Sequence, residues 1–232
     1  PFMTPTYTAE VGRKFHPDGS LRLSPGVTII CPVRPGNPGY EGALWAADQL
    51  RAQPFADHFS FLPPSSYHMT AIALIGEQRR EAAWWPSAVS LEAPLSEVDE
   101  HFIATMKQVP PFQPPPMRVT GLAGWNATVI TLEPVTKNGK QALLDYREAV
   151  ATATGLRRPD HDGYHFHITF AYRIIELDSD AAAGFESFRA AVTPTLQQMM
   201  GEFAPDPAEL TFYDDMGRFA PAAERHTLVS RR

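Results

Sequence analysis

The sequence predicts an α+β fold in which two antiparallel sheets with flanking helices are related by a pseudo-twofold axis and enclose a central cleft. Three observations favour this bilobal arrangement. Short apolar runs typical of strands alternate with amphipathic segments typical of helices. The order strand, helix, strand, helix occurs once in each half of the chain. Five prolines fall within residues 110–116, between the two halves.

We therefore expect one bilobal domain over residues 1–232. Its first lobe is predicted at residues 1–109 and its second at residues 117–232, joined by the proline-rich connection at residues 110–116. A chain of 232 residues is long enough to bury a substantial core. Its hydrophobic content of 44% and charged content of 20% are ordinary for a globular protein.

The first half begins with a polar stretch that extends to about residue 25. The predicted elements that follow are a strand at 27–33, a helix at 40–51, a short strand at 59–62, a strand at 66–75 and a helix at 96–109. Two prolines end the short strand, and Ser96 is the expected N-cap of the helix, because its hydroxyl can accept a hydrogen bond from a free backbone amide.

The second half repeats this order. The predicted elements are strands at 117–122 and 126–132, a helix at 138–154, a strand at 164–174, a helix at 185–203 and closing strands at 210–213 and 227–229. Gly124 is the expected turn between the first two strands, and Gly155 is the expected end of the helix at 138–154. Pro194 is expected to kink or split the long helix, because proline lacks the amide hydrogen.

Two short segments carry nearly the same pattern. His68-Met69-Thr70 lies in the predicted strand 66–75, and His167-Ile168-Thr169 lies in the predicted strand 164–174. Because strand side chains alternate between faces, each His shares a face with the Thr two residues later. A single His-x-Thr carries no weight in a chain with eight histidines. Two of them, at comparable positions in the two halves, predict one shared site.

Paired imidazoles suit proton transfer at a phosphate ester, because the pKa of histidine is close to neutral pH. Hydrolysis of a cyclic phosphodiester needs a base to deprotonate water and an acid to protonate the leaving oxygen. His68 and His167 are therefore the candidate catalytic residues, one neutral and one protonated. Thr70 and Thr169 are the candidate phosphate-binding residues, because each hydroxyl can donate a hydrogen bond to a phosphate oxygen. This arrangement requires neither a metal nor another cofactor.

These residues resemble the two-histidine (2H) phosphoesterase superfamily, whose members carry two His-x-Thr/Ser signatures in a bilobal α+β fold. The superfamily includes the RNA-ligase-like 2′,5′ phosphodiesterases and the plant and yeast cyclic phosphodiesterases. Tyr172, three residues after Thr169, is similar to a Tyr of the cyclic-phosphodiesterase branch, where bacterial RNA-ligase-like members often have Arg. The long proline-rich segments differ from the compact members and indicate a less studied bacterial branch.

Four further side chains are candidate substrate contacts. Tyr40 and Trp125 could stack on a nucleotide base, although core packing is the alternative for each. Tyr172 is suggested by the resemblance, and His165 shares the face of the second motif. The substrate expected from the resemblance is a 2′,3′-cyclic nucleotide, an RNA end or a related small phosphoester.

Two alternatives remain open. His161, His165 and His167 could hold a metal, because His-x-His on a strand can chelate Zn²⁺, and the chain would then be a metal-dependent hydrolase or oxygenase. This alternative leaves the first motif unexplained. The other alternative is a 2H-like module that binds a nucleotide without cleaving it.

Charge and hydropathy limit the partners. The net charge of −6 argues against an extended nucleic-acid surface but allows a small pocket for one nucleotide or RNA end. No apolar run approaches the roughly 20 residues of a membrane helix, and the first 25 residues show no signal-peptide pattern. We therefore predict a cytoplasmic location with no membrane partner.

Overall fold

The computed structural model describes residues 5–232, and within that range the chain contains nine β-strands and four α-helices. The strands are β1 Gly26–Pro32, β2 Phe59–Phe61, β3 His68–Gly76, β4 Met117–Gly124, β5 Ala127–Pro134, β6 His167–Arg173, β7 Glu202–Phe203, β8 Glu209–Tyr213 and β9 Ala220–Pro221. The helices are α1 Pro38–Arg51, α2 Leu95–Met106, α3 Lys137–Thr154 and α4 Ser179–Met200. The α+β class is confirmed.

Within the described residues, the strands form one antiparallel sheet in the order β7-β4-β5-β6-β3-β1-β8-β9, with β2 also paired to β6. The sequence predicted two sheets, and the structure instead joins the two groups of strands where β3 meets β6, through the pair Met69 and Ile168. The two strands that carry the His-x-Thr motifs are therefore neighbours at the centre of the sheet.

Local sequence explains where the helices begin and end. Asn37 caps α1 by accepting a hydrogen bond from the amide of Gly39, at 2.8 Å. Thr136 caps α3 in the same way, and α3 ends at Gly155, whose φ of 68° is left-handed and suits glycine. The expected cap at Ser96 is wrong, because α2 begins one residue earlier and Pro94 occupies the cap position.

Two other sequence predictions differ from the structure. α4 continues through Pro194 as one helix, so the predicted split does not occur. Residues 227–229 are not a strand, because short 3₁₀ turns occupy Ala222–Thr227 and Val229–Arg231. The buried side chain of Arg231 holds this segment in place, with its guanidinium bound to Asp99 and to the backbone carbonyl of Gly26.

The two halves share contacts across the proline-rich connection. β8, from the second half, pairs with β1 of the first, and α1 packs against α4. The division into lobes at residues 109 and 117 stays a prediction. No helix within residues 5–232 has both the length and the apolar character that crossing a membrane requires.

Candidate active site

The side chains of both His-x-Thr motifs line one cavity of about 330 Å³ at the junction of β3 and β6. Burial alternates in the same way along both motifs. His68, Thr70, His167 and Thr169 are partly exposed, whereas Met69 and Ile168 are fully buried in the core. The structure therefore brings together the four residues that the sequence predicted for one site.

The strand register explains how the two motifs meet. Met69 lies opposite Ile168 in an antiparallel pair. Continuing that register by one residue in each direction places His68 across from Thr169 and Thr70 across from His167. In this register, the His of each motif is level with the Thr of the other motif.

Both imidazoles are held by the same kind of hydrogen bond. Nδ1 of His68 lies 2.7 Å from the carbonyl oxygen of Ser66, and Nδ1 of His167 lies 2.6 Å from the carbonyl oxygen of His165. A carbonyl oxygen can only accept, so in each ring Nδ1 carries the proton and donates it. In the neutral form, Nε2 of each ring is then a free proton acceptor.

Aromatic rings pack against both imidazoles and restrict their orientation. The ring of Phe219 meets His68 edge-on, with 4.4 Å between centroids. The ring of Trp125 meets His167 edge-on at 5.4 Å, and Tyr164 packs against the same imidazole at 5.9 Å. These contacts and the carbonyl hydrogen bonds preorganise both rings for a ligand in the cavity.

The environment keeps both histidines neutral near pH 7. Burial lowers the pKa of His68 to about 4, although the hydrogen bond to Ser66 raises it, and charge on His167 lowers it further. Burial is also the main cause that lowers the pKa of His167, with contributions from the charges of His165 and Lys14. Without a ligand, each Nε2 is therefore available as a base.

A β-bulge follows each motif directly. Next to β1, Ile30 pairs with Thr70 and Ile29 with Ile72, so Ala71 is an extra residue in β3. Next to β5, Val129 pairs with Thr169 and Thr128 with Ala171, so Phe170 is an extra residue in β6. An extra residue reverses which side chains face each side of the strand beyond it.

The bulge at Phe170 explains the position of Tyr172. Strict alternation would place Tyr172 on the face opposite Thr169, yet both residues line the cavity. The hydroxyl of Tyr172 donates to Sδ of Met216 at 3.6 Å and accepts a hydrogen bond from Nζ of Lys14 at 3.3 Å. Tyr172, predicted as a substrate contact, is thus brought next to both motifs.

Of the other three predicted substrate contacts, two lie near His167 and one lies away from the cavity. Trp125 is 45% exposed in the turn between β4 and β5, beside His167 at the edge of the site. His165 is exposed, and its ring lies 6.3 Å from that of Trp125. Tyr40 is on α1, does not line the cavity, and packs against Tyr67.

Several lining residues were not predicted from the sequence. Lys14 comes from the polar N-terminal stretch, and Tyr213, Met216 and Phe219 come from the region of β8 and β9. None of them belongs to a motif, and no local sequence pattern indicates that these residues lie near the two histidines. At the far end of the cavity, Arg79 and Arg158 flank the ring of Trp84, and their guanidinium carbons lie 3.7 and 4.6 Å from its centroid.

The three-histidine metal alternative is not supported. His161 is buried and lines a separate small cavity, with Nε2 3.7 Å from a carboxylate oxygen of Glu148. His167 instead lines the main cavity. Among residues 5–232, no group of three or more His, Cys, Asp or Glu side chains is arranged to hold a metal ion.

A larger groove of about 770 Å³ lies between the end of α1 and α4. None of the predicted site residues lines it. The smaller cavity is the candidate active site because both motifs line it and the pKa values of both motif histidines are lowered.

Comparison with protein-family models shows to which family this chain belongs. Residues 14–151 match the family model 2H-phosphodiest, described as "Domain of unknown function (DUF1868)". The matched residues are more than half of the chain and include the first motif. This chain belongs to the 2H phosphodiesterase family. The second motif of this 2H protein follows the matched residues and shares with the first its cavity, the pairing of their strands and the kind of hydrogen bond to Nδ1.

Solved structures include similar chains. A conserved protein of unknown function, ATU0111 from Agrobacterium tumefaciens str. C58, is 25% identical, with a TM-score of 0.86 over 94% of this 2H protein and 92% of that chain. LigT from E. coli in its apo form is 14% identical, with a TM-score of 0.45 over 86% of this chain and 95% of its own. TT0787 of Thermus thermophilus is 16% identical, with a TM-score of 0.43 over 81% of this chain and 86% of its own. Comparison with curated proteins gave no significant match.

Proposed function

We propose that this 2H protein is a metal-independent phosphoesterase that hydrolyses a cyclic phosphodiester by general acid and base catalysis. The observation that carries the proposal is the matched pair of hydrogen bonds from the Nδ1 atoms of His68 and His167 to backbone carbonyl oxygens. Both bonds leave Nε2 as the reactive nitrogen of a residue that lines the same cavity.

The reaction follows from these two nitrogens. Nε2 of one neutral histidine accepts a proton from water as the water oxygen attacks phosphorus. The P–O bond to the leaving oxygen breaks, and that oxygen takes the proton from Nε2 of the other, protonated histidine. A phosphomonoester with one free hydroxyl results. The hydroxyls of Thr70 and Thr169 donate to the non-bridging phosphate oxygens, whose negative charge increases in the transition state.

Burial favours one assignment of roles. It penalises a charge on His68 strongly enough to lower the pKa of that imidazole to about 4. When the pair shares one proton, we therefore assign that proton to His167 as the acid and the free Nε2 to His68 as the base. The negative charge of a bound phosphate raises the pKa of a neighbouring imidazole and so supplies the protonated state that the free site lacks.

The substrate class is a 2′,3′-cyclic nucleotide, an RNA end or a related cyclic phosphate. Trp125 supports a nucleotide, because its half-exposed ring stands beside His167 and could stack on a base. Tyr172 and His165 are the other proposed substrate contacts. The cavity suits a small ligand more than an extended nucleic acid.

The test is turnover of the four 2′,3′-cyclic nucleoside monophosphates by the purified protein, with and without EDTA. We expect hydrolysis that EDTA leaves unchanged and that His68→Ala or His167→Ala slows by about 10²–10⁴-fold. Tight binding of the nucleotides without turnover would support the non-catalytic module instead. Activity that is lost with EDTA and restored by a metal would contradict the paired-histidine mechanism.

A further inference from the structure

Lys14 is a cation that lines the cavity of both motifs, and its charge contributes to the lowered pKa of His167. Neither motif includes it. Its Nζ donates to the hydroxyl of Tyr172 at 3.3 Å and lies 4.6 Å from the centroid of that ring. It also lies 3.6 Å from Oε2 of Glu10. The Lys14 side chain is only 24% exposed, so its ammonium is largely withdrawn from water and interacts strongly with nearby charges.

The backbone around Lys14 is fixed in place. Its amide and that of Phe15 both donate to the carbonyl oxygen of Glu10, at 2.9 and 3.1 Å. Phe15 is fully buried, and its ring packs against Tyr172 with 5.1 Å between centroids. The position of Nζ is therefore set by the core and by the same tyrosine that lines the site.

Lys14 keeps capacity for a ligand. An ammonium has three donors, and the hydrogen bond to Tyr172 uses one of them. The contact with Glu10 is slightly longer than a hydrogen bond, and Oε2 of that carboxylate is buried without a hydrogen-bond partner in the described structure. A ligand oxygen could engage the remaining donors without displacing Tyr172.

Each of the other cations of the cavity is either bound to a carboxylate through two hydrogen bonds or largely exposed. Arg79 forms two hydrogen bonds to Glu81, and Arg158 forms two to Asp160. Arg13 is 57% exposed on its side chain. Both catalytic candidates are neutral without a ligand, and Lys14 is the cavity cation whose charge acts on the pKa of His167.

We propose that Lys14 binds the phosphoryl group of the substrate, with Tyr172 as the hydroxyl that orients its ammonium. This proposal rests on the proposed function for the identity of the reacting group. The charge would balance the phosphodiester anion and the further negative charge that develops on its oxygens during attack. The same charge lowers the pKa of His167 in the free site, so binding an anion beside Lys14 makes protonation of His167 easier.

The experiment measures inorganic phosphate binding by NMR, through the Hε1 signals of His68 and His167, in the wild type and four variants. Lys14→Met removes the charge and keeps the length of the side chain. Lys140→Met removes the same charge from an exposed position on α3, outside the cavity. Lys14→Arg keeps a cation. The double variant Glu10→Gln with Lys14→Met also removes the buried carboxylate, which in the single variant would keep only its ion pair with the exposed Arg13.

We expect phosphate to shift the His167 signal in the wild-type and Lys140→Met proteins with equal affinity. Lys14→Met should weaken phosphate binding at least tenfold, alone or with Glu10→Gln, and should raise the pKa of His167 in the free protein. Lys14→Arg should recover part of the affinity. Wild-type affinity in both Lys14→Met proteins, or no phosphate-dependent shift in the wild type, would overturn the proposal.

Steady-state kinetics separate this inference from the proposed function. If a cyclic nucleotide is a substrate, Lys14→Met should lower kcat/KM by at least tenfold, whereas Lys140→Met should change it less than twofold. If no cyclic phosphodiester is turned over but phosphate binding still depends on Lys14, the proposed reaction fails and the anion site stands. Turnover that is unaffected by Lys14→Met would overturn the role of Lys14 and leave the reaction standing.

Discussion

Met69 and Ile168 lie directly opposite each other where β3 meets β6, and neither side chain is exposed to solvent. They point into the core from the two strands whose other faces carry the catalytic candidates. We therefore expect the packing around these two side chains to affect both the stability of the core and the spacing of His68 and His167.

Shortening one of these two side chains should lower both stability and activity. Met69→Ala should cost about 2–5 kcal/mol of unfolding free energy, because it leaves a cavity under the junction. Met69→Leu, which conserves volume, should cost less than about 1.5 kcal/mol and retain activity. Urea unfolding and kcat at a temperature where each variant is folded check this. Full activity in a strongly destabilised Met69→Ala protein would show that the junction does not set the spacing of the histidines.

The two histidines should respond differently to the leaving group. For a cyclic nucleotide, His68→Ala and His167→Ala should each lower kcat by about 10²–10⁴-fold, and the double variant should lose much less than the product, because the pair acts as a unit. In a phosphodiester of p-nitrophenol, the leaving p-nitrophenolate is a stable anion, so its oxygen needs little protonation when the P–O bond breaks. His167→Ala should therefore retain more activity on it than His68→Ala. The reverse order would exchange the roles of acid and base.

Removing a hydroxyl from either motif is expected to be milder. Thr70→Ala or Thr169→Ala should lower kcat less than loss of either histidine, since each removes one hydrogen-bond donor from a partly exposed cavity. Thr70→Ser and Thr169→Ser keep the donor and should remain closer to the wild type. Steady-state kinetics on the same cyclic nucleotide provide the comparison. A Ser variant as impaired as its Ala counterpart would mean that the methyl group, and not the hydroxyl, is needed.

Stability should fall as the pH is lowered from about 6.5, the usual pKa of histidine, towards 4. The pKa of His68 in the folded protein is about 4, so in this interval the unfolded chain binds a proton that the folded chain does not. Unfolding is therefore favoured as pH falls, and the loss from this residue is complete below pH 4. His68→Gln should make the pH dependence shallower by up to one proton in urea unfolding. An unchanged slope would contradict the lowered pKa.

Arg147 should be needed to position the first motif. Its buried guanidinium donates to the carbonyl oxygens of Ala71, at 2.6 Å, and His161, at 2.7 Å, so it joins α3 to β3 and to the loop before β6. Arg147→Met should lower stability by about 1–3 kcal/mol for the unpaired carbonyls and reduce kcat. Arg147→Lys should restore little, because one ammonium cannot reproduce the planar fork. Thermal unfolding and kcat test this, and wild-type values for Arg147→Met would exclude the positioning role.

The sequence predicted those parts of the site that depend on strand alternation. His68 with Thr70, and His167 with Thr169, needed only a period of two and a common local pattern. The strands at β1, β4, β5 and β8 and the helices α1 and α3 were likewise recognisable from periodicity and end signals. These features depend on residues close together in the chain.

The missing parts depend on contacts between distant residues. The position of Tyr172 requires the bulge at Phe170, and a bulge has no signature in one sequence. Lys14 reaches the cavity because Phe15 is buried against Tyr172, which is far along the chain. The helix through Pro194 survives because its buried side packs on β4 and α1, which offsets one lost hydrogen bond. Residues 227–229 form turns because Arg231 anchors the chain end to Asp99.

The bulges at Ala71 and Phe170 separate each motif from the residues that follow it in its strand, and in β3 a second bulge at Leu74 reverses the alternation again. Before each bulge, the motif determines which side chains face the ligand. Directly after the bulge, the opposite set of side chains faces the cavity. Substitutions at these later positions can therefore change the cavity wall around Tyr172 or Ala73 without moving the catalytic candidates. Substrate preference could therefore diverge between relatives while the chemistry stays the same. A one-residue deletion at either bulge would instead exchange wall and core residues, which makes these two positions intolerant of length changes.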